Sequence, residues 1–213
     1  MSTNSAVDVN LIRQLAAEAP QPDANGEFAT PADGAKFMAG TYQIPQIPLR
    51  GKAPFFGDWQ DKGSTDFAQI DAWYAEYGCN FGSICKDTPD GKFAVEVDSP
   101  DVSKRIKESG AKFTSEVIIG SRPGRGHRWY LQSAESIQLG NISQSNVTNQ
   151  DFSVRVSNEQ CVSPGSVHPV SKKQYKVISR GPIAIASSQE LQWLKSQKIS
   201  GIGKKDVPEI RLV

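Results

Sequence analysis

Residues 93–98 alternate apolar and polar side chains, the pattern of a β-strand with one buried face. Side chains two positions apart on a strand share a face, so Glu96 and Asp98 point the same way while Val95 and Val97 face a core. Two neighbouring carboxylates repel each other, and each raises the pKa of the other unless a cation lies between them. Because Mg²⁺ and Mn²⁺ prefer oxygen ligands, this strand predicts a divalent-metal site on its polar face.

A basic, glycine-rich segment follows at residues 122–128 and is predicted to form a turn. Arginine and histidine side chains on such a turn suit a phosphate group. An acidic pair together with a basic turn is the chemistry of metal-assisted phosphoryl or nucleotidyl transfer. Each element alone also fits a solvated strand face or a turn without a ligand, and it is their combination that favours function. The basic side chains of this segment are Arg122, Arg125, His127 and Arg128.

Composition places the chain among ordinary globular proteins. It has 213 residues, of which 38% are hydrophobic and 22% charged, with a net charge of +1. A net charge near zero argues against a coat for bulk nucleic acid but leaves room for a local basic groove. No apolar run approaches the length of a membrane span, and the first residues lack the pattern of a signal peptide, so a cytoplasmic location without membrane association is expected.

The three cysteines predict free thiols in a reducing compartment. Cys79, Cys85 and Cys161 are widely spaced and form no C-x-x-C pair, which disfavours a zinc ribbon. An odd number of cysteines in a chain of this kind is typical of a reducing cytoplasm.

Periodicity and turn residues predict the order of elements. Residues 20–40, rich in Pro, Gly, Asp and Ala, are interpreted as a linker or irregular arm, and residues 132–150 as a surface loop with at most partial structure. The predicted division is a helix and arm over 1–41, a catalytic domain over 42–198, and a basic tail or linker to a further region over 199–213. Helices are predicted over 7–19, 66–77, about 100–109 and 188–198, and strands over 47–49, 80–84, 93–98, 114–119, 128–131, 152–156, 160–162 and 175–178.

Six segments in this order resemble a known family: RGKAPFFGDW (50–59), NFGSI (80–84), FAVEVD (93–98), PGRGHRWYL (123–131), FSVRV (152–156) and VSPGSVHP (162–169). Together they resemble the bifunctional DNA primase/polymerase domain of the archaeo-eukaryotic primase superfamily, over roughly residues 42–180. The resemblance implies an α/β fold of the α+β type: a two-part sandwich in which an RNA-recognition-like sheet lies beside a second small α/β unit.

The resemblance also implies a site. Glu96 and Asp98 match the family's metal-binding acidic pair, and His127 matches its phosphate-contacting histidine, with Arg125 and Arg122 beside it. The family's third motif supplies another acid on a strand before a Val-Arg pair, but here that position holds a serine. The nearest acid is two residues earlier and is a candidate third metal ligand. The serine is Ser153, and the acid two residues before it is Asp151.

Four further residues are candidates for contacts with nucleotide or template. Lys52 matches a family lysine, although a solvated loop lysine fits as well. Arg155 is expected to pair with a carboxylate of the metal site or with a phosphate. Ser166 and His168 follow the third motif and are candidates for a phosphate or nucleotide contact, with a loop histidine packed beside a proline as the alternative for His168.

The activity implied is template-directed nucleotidyl transfer by a DNA primase and DNA polymerase that uses two Mg²⁺ or Mn²⁺ ions in the replication of a plasmid, phage or mobile element. The expected partners are a single-stranded DNA template, dNTPs or NTPs, and a possible helicase domain in the full-length protein. Because a serine replaces the third acid, a non-catalytic nucleic-acid-binding module of the same fold is the alternative. A metal-dependent nuclease is a second alternative.

Overall fold

The computed structural model describes residues 9–99, 102, 104–105, 108–110, 113–122, 125–143 and 152–197. Two mainly antiparallel sheets and the helices around them form this part of the chain, which confirms the mixed α/β class. None of the helices in these ranges is both long and apolar enough to cross a membrane. The helices with defined bounds are α1 (Val9–Glu18), α2 (Pro31–Tyr42), α3 (Phe67–Tyr77), α4 (Ala134–Leu139) and α5 (Ser188–Gln197).

Sheet A has four antiparallel strands in the order β2-β1-β3-β8. Sheet B has the order β7-β4-β6-β5-β9, all antiparallel, and the short strand β10 pairs in parallel with the end of β6. The strands are β1 (Gln46–Arg50), β2 (Ala53–Pro54), β3 (Asn80–Cys85), β4 (Lys92–Val97), β5 (Ile118–Arg122), β6 (Arg125–Leu131), β7 (Phe152–Arg155), β8 (Glu159–Val162), β9 (Lys176–Ser179) and β10 (Ala184–Ile185).

Strand β4 separates two hydrophobic cores, and this fixes where its carboxylates point. Ala94 packs into the core between the two sheets, together with Leu49 of sheet A. Val95 packs on the opposite face, in the core that includes Leu191 of α5. Because side chains alternate along a strand, Glu96 follows Ala94 and faces sheet A.

Most predicted elements are confirmed, within a few residues at their ends. Helices α1, α3 and α5 and strands β1, β3, β4, β7, β8 and β9 overlap the predicted ranges. Asp66 caps α3, since its side chain accepts a hydrogen bond from the Ala68 amide at 3.0 Å. The predicted helix near 100–109 lies partly outside the described residues, and the tail over 199–213 lies wholly outside them. All three cysteines are buried free thiols, as predicted.

The interpretation of residues 20–40 as an irregular arm is wrong for its second half, where α2 begins at Pro31. A capping box starts this helix, because Thr30 and Asp33 each accept a hydrogen bond from the other's backbone amide. Phe37 and Met38 of α2 are buried between the sheets, so the packed part of the chain includes residues assigned to the arm.

Residues 132–150, predicted to have at most partial structure, contain the short helix α4, which Ser133 caps, among their described residues. Two other local predictions are wrong. The strand predicted over 114–119 begins only at Ile118, because Thr114 donates two hydrogen bonds of 2.8 Å to the Glu190 carboxylate instead of joining the sheet. The segment Arg125 to His127 is not a turn but the start of β6.

Candidate active site

The candidate site lies where three neighbouring strands of sheet B face sheet A. In the strand register, Glu96 of β4 pairs with His127 of β6 on one side and with Ser153 of β7 on the other. Paired residues of antiparallel strands point to the same face, so the three side chains converge. Asp98, two positions beyond Glu96 and just past the end of β4, shares this face and is half-buried.

Arg155 holds Glu96 in place. Its Nε and Nη2 both donate to Glu96 Oε2, at 2.9 and 2.5 Å, and its Nη1 donates to Glu159 Oε2 at 2.8 Å. The Ser153 hydroxyl lies 3.3 Å from the same Oε2 atom and donates to it. All the hydrogen bonds that Glu96 receives from described residues therefore end on Oε2, and its other oxygen, Oε1, is left for a ligand.

The two carboxyl groups differ in pKa. Burial raises the pKa of Glu96, but the charge of Arg155, that of His127 and the hydrogen bonds from Arg155 outweigh it, so the net shift is downward. For Asp98, burial and then the negative charge of Glu96 raise the pKa, and the charges of Arg125 and Lys52 offset this only in part. Glu96 is therefore firmly ionised, while Asp98 carries the repulsion that a bound cation would relieve.

His127 is buried and has an unused ring nitrogen. The side chain is 2% exposed, and its Nε2 has no hydrogen-bond partner among the residues that the structure describes. Burial lowers the pKa of His127 to about 4, so the imidazole is neutral near pH 7. Gly126 permits this burial, because a Cβ at that position would lie 2.5 Å from the carbonyl oxygen of Ile119 on β5. Buried polar groups without a partner are rare in native proteins, so Nε2 is suited to a ligand.

Three cavities of the described structure meet at Lys52 and Glu96, with volumes of about 440, 220 and 30 Å³. The largest is lined by Asp98 and Arg155 as well, and the smallest by Asp98 and His127. Lys52 comes from the turn between β1 and β2, and its Nζ lies 5.9 Å from the ring centre of Tyr175. The cleft is therefore walled by both sheets.

His168 closes the basic side of the cleft. It lines the smallest cavity with Lys52 and Arg122, and its ring stacks on Tyr175 with 5.9 Å between ring centres. Its Nδ1 accepts hydrogen bonds from the backbone amides of the second and third residues after it, at 3.2 and 3.1 Å. These bonds assign the ring proton to Nε2. Burial and then the charges of Lys52 and Arg122 lower its pKa.

Most of the residues predicted to form a site are brought together. Ser166 is not, because it is fully buried and its hydroxyl exchanges hydrogen bonds with the backbone of Phe81, at 3.0 and 3.3 Å. Asp151, the candidate third metal ligand, lies outside the described residues. The residues that do line the cleft are Lys52, Glu96, Asp98, Arg122, Arg125, His127, Arg155 and His168.

Glu159 and Tyr175 also line the cleft, although the sequence did not indicate them as site residues. Glu159 lies on β8 and reaches the site through its ion pair with Arg155. A sequence signal for it was available, an opposite charge four positions after Arg155, but the two residues lie on strands of different sheets, where that spacing has no fixed meaning.

The donor set fits a divalent cation that the substrate helps to bind. Within the described ranges, no group of three or more His, Cys, Asp or Glu side chains is placed to hold a metal. A cage formed by the protein alone is therefore not supported by these residues. Mg²⁺, however, is usually held by one or two carboxylates plus substrate phosphates. Glu96 Oε1 and the Asp98 carboxylate, next to a cleft with basic walls, meet that requirement.

Comparison with protein families gives one match, which spans the whole cleft. The model of the family described as "Bifunctional DNA primase/polymerase, N-terminal" matches residues 35–189. This range covers most of the chain and includes every cleft residue from Lys52 to Tyr175. No curated protein matches the chain.

Proposed function

Since the chain belongs to the bifunctional DNA primase/polymerase family, a family of nucleotidyltransferases that act on nucleic acid and nucleotides, we propose that it starts and extends DNA chains on a single-stranded template. The proposed context is replication of a plasmid, phage or mobile element. The observation that carries the proposal is the convergence in one cleft of Glu96, Asp98 and the Nε2 atom of His127, which has no partner among the described residues.

In the proposed reaction, a 3′-hydroxyl attacks the α-phosphorus of a nucleoside triphosphate, the new phosphodiester bond forms, and the bond to pyrophosphate breaks. Two Mg²⁺ or Mn²⁺ ions, when bound, lower the pKa of the attacking hydroxyl and stabilise the leaving pyrophosphate. Glu96 and Asp98 would hold these ions. Arg155 keeps Glu96 ionised and oriented, because it donates two hydrogen bonds to Oε2.

The basic side of the cleft would bind the triphosphate. Lys52, Arg122 and Arg125 are exposed cations that line the cavity next to Asp98, and they offset phosphate charge. His127 is neutral without a ligand, so it would contribute a hydrogen bond through Nε2 rather than a full charge. A bound phosphate next to this nitrogen would raise its pKa.

A non-catalytic nucleic-acid-binding module is the second candidate, and Ser153 is the observation that favours it. This serine pairs with Glu96 in the strand register, at the position where the family motif supplies a third acid. If the site lacks a ligand, metal affinity would be low and the cleft would bind nucleotide without turning it over.

An assay of primer synthesis and primer extension tests the proposal. The protein is incubated with a single-stranded template, labelled nucleotides and Mg²⁺ or Mn²⁺, and products are resolved by length. We expect metal-dependent incorporation that Asp98→Asn abolishes while circular dichroism stays unchanged. No incorporation with either metal would favour the non-catalytic module, and shortening of the template would indicate a nuclease.

Variants at positions 151 and 153 test whether the metal site has a third carboxylate ligand. If Asp151 completes the site, Asp151→Ala should inactivate nearly as fully as Asp98→Asn, and Ser153→Asp should help little. If the site is one ligand short, Asp151→Ala should be neutral and Ser153→Asp should raise Mn²⁺ affinity. Ser153→Ala is the matched control, since it removes the hydroxyl without adding a carboxylate.

A further inference from the structure

A second, larger groove continues from the candidate active site across the edge of sheet B. Its volume is about 620 Å³, and it runs along β5 and β9. The groove shares Gly120, Ser121 and Arg122 with the cavity that contains Asp98 and His127. A chain lying in the groove would therefore be led directly to the carboxylates.

The groove is basic. Arg122 and Lys173 are exposed and Lys176 is half-buried, whereas Glu27 is the acidic residue among the described residues that line it. Asp23 also lies near enough for the charge of Lys176 to contribute to lowering its pKa, after the larger effect of a hydrogen bond from the Glu27 amide. Three cations against one lining carboxylate leave an excess of positive charge.

Lys173, one of the two lysines that line the groove, lies on a structured hairpin. Val167 and Gln174 form a β-bridge, and the amide of His168 donates to the carbonyl of Lys173 at 2.8 Å. The Gln174 side chain exchanges hydrogen bonds with the backbone of Phe28, at 3.0 and 2.9 Å. One hairpin thus presents His168 to the cleft and Lys173 to the groove, in fixed relative positions.

The floor of the groove is partly apolar. Ile178 of β9 is 48% exposed and lines it, with its side chain next to Gly120. A positively charged groove is the part of a single-strand binding site that follows the nucleic-acid backbone without reading its sequence. Ile178 adds apolar surface to it but no aromatic ring for base stacking. A small anion would need only one end of such a groove.

We propose that this groove binds the sugar-phosphate backbone of the single-stranded template and directs it to Glu96 and Asp98, an inference that rests on the proposed function. The template is the strand present in both priming and extension, so a permanent path is expected for it. Arg122 lies where groove and cleft join, and Lys173 and Lys176 contact backbone phosphates farther from the cleft.

The test is the affinity of the protein for a fluorescent oligothymidylate, measured by anisotropy over a series of salt concentrations. The variant Lys173→Gln/Lys176→Gln removes two proposed phosphate contacts. Each contact contributes about 0.7 to the slope of log K against log salt for single strands. We expect the slope to fall by about 1.4 and the affinity to fall roughly 10- to 30-fold at 0.1 M salt.

The matched control is Lys104→Gln/Lys195→Gln, which removes the same charge from two exposed lysines outside the groove and the cleft. It should leave the slope unchanged, and nucleotide affinity should be unchanged in both double variants. An equal loss in the control, an unchanged oligonucleotide affinity in the groove variant, a loss confined to duplex DNA, or a loss of nucleotide affinity instead would overturn the proposal.

The binding assay requires no catalysis, so it separates the two hypotheses. If the wild-type protein incorporates no nucleotide but the groove variant shows the reduced slope, the groove is supported and the catalytic proposal fails. If the wild type incorporates nucleotide and the slope does not change, the catalytic proposal is supported and the groove is not the template path.

Discussion

Two polar clusters in this molecule differ in how completely their side chains are hydrogen-bonded. The closed cluster consists of Gln46, Ser83 and Ser163, all of them fully buried in or next to sheet A. Gln46 Nε2 donates to the Ile44 carbonyl at 2.7 Å and to Ser83 Oγ at 3.0 Å, and Ser163 Oγ donates to Gln46 Oε1 at 2.6 Å. Its polar atoms satisfy one another, and no ligand is needed.

The open cluster consists of Glu96, His127 and Arg155 in sheet B. Here the hydrogen bonds do not use every polar atom, because Nε2 of His127 is unpartnered within the described structure and the bonds to Glu96 end on one oxygen. Three cavities reach this cluster. The difference supports the proposed ligand site: the polar atoms of the closed cluster pair with one another, whereas the open cluster leaves polar atoms that suit a ligand.

The largest effect is expected for Arg155→Met, which removes the cation from Glu96. The two side chains are 29% and 26% exposed, and removing one partner of a fully buried pair costs about 3–5 kcal/mol, so we expect the free energy of unfolding to fall by about 2–3 kcal/mol. The pKa of Glu96 should also rise, because burial then acts unopposed by Arg155. The acidic limb of the pH–rate profile should move to higher pH.

Urea unfolding and initial rates over a pH series measure both effects. Glu159→Gln is the control, since it removes the more exposed partner of Arg155 and should cost no more than about 1 kcal/mol. An acidic limb that stays in place in Arg155→Met would show that Glu96 does not need to be ionised for the reaction.

His127→Ala tests the ring nitrogen of the open cluster that has no partner in the part of the chain that the structure describes. A hydrogen bond to a charged group is worth about 1.5–3 kcal/mol, so nucleotide affinity should fall about ten- to a hundredfold while affinity for single-stranded DNA is unchanged. Arg128→Gln is the control, because Arg128 is the next residue of β6 and its Nη1 instead contacts the Ser115 carbonyl at 2.9 Å. Loss of DNA affinity alone would assign His127 to the template.

Ser83→Ala tests the closed cluster. It removes the Ser83 hydroxyl that accepts one of the two Gln46 Nε2 hydrogens and contacts Ser163 Oγ. Gln46 keeps its bond to the Ile44 carbonyl and Ser163 keeps its bond to Gln46, but one buried amide hydrogen loses its acceptor, and an unsatisfied buried polar group costs about 1–3 kcal/mol. The midpoint of urea unfolding should fall, but nucleotide incorporation per folded molecule should not. Ser157→Ala, which removes an exposed hydrogen bond to Asp87, should change the midpoint much less. A loss of activity in folded Ser83→Ala would contradict the separation of the two clusters.

The smallest predicted effect is a loss of folding stability at acidic pH, caused by the burial of His127. His127 has a pKa of about 4 when folded and an ordinary value of 6.5, so below pH 6.5 the unfolded chain binds a proton that the folded chain does not. The contribution of His127 to the free energy of unfolding is therefore complete above pH 6.5 and is lost as the pH falls toward 4. The free energy of unfolding should decrease by about 1 kcal/mol between pH 6.5 and 5.5. Comparison of urea midpoints should show a weaker pH dependence in His127→Ala, and parallel curves would refute the low pKa.

Much of the fold could be predicted because its strands alternate clearly, as β4 does. Helix α2 was not predicted because its buried face consists largely of small residues. Ala35 and Ala39 are fully buried, and a Cβ on Gly34 would lie 1.9 Å from the Pro164 carbonyl oxygen. Such a helix has little hydrophobic periodicity. Helix α4 was not predicted because its six residues span less than two turns, too few to show a hydrophobic periodicity.

The site was predictable to the extent that it depends on one strand. The spacing of Glu96 and Asp98 placed them on one face without further information. The burial of His127 depends instead on its register between β4 and β5, which the sequence does not reveal. Ser166 and His168 are neighbours in sequence, but the hairpin turns the first into the core and the second toward the cleft.

The most direct test of the account is a crossed comparison of Asp98→Asn and Ser83→Ala. For each variant, metal-dependent nucleotide incorporation on a single-stranded template is measured per folded molecule, and the urea midpoint is measured on the same sample. We predict that Asp98→Asn loses incorporation without any fall in the midpoint, because it removes a charge that Glu96 repels, while Ser83→Ala lowers the midpoint and keeps incorporation. Incorporation at the wild-type rate by Asp98→Asn would contradict the assignment of the cleft as the active site.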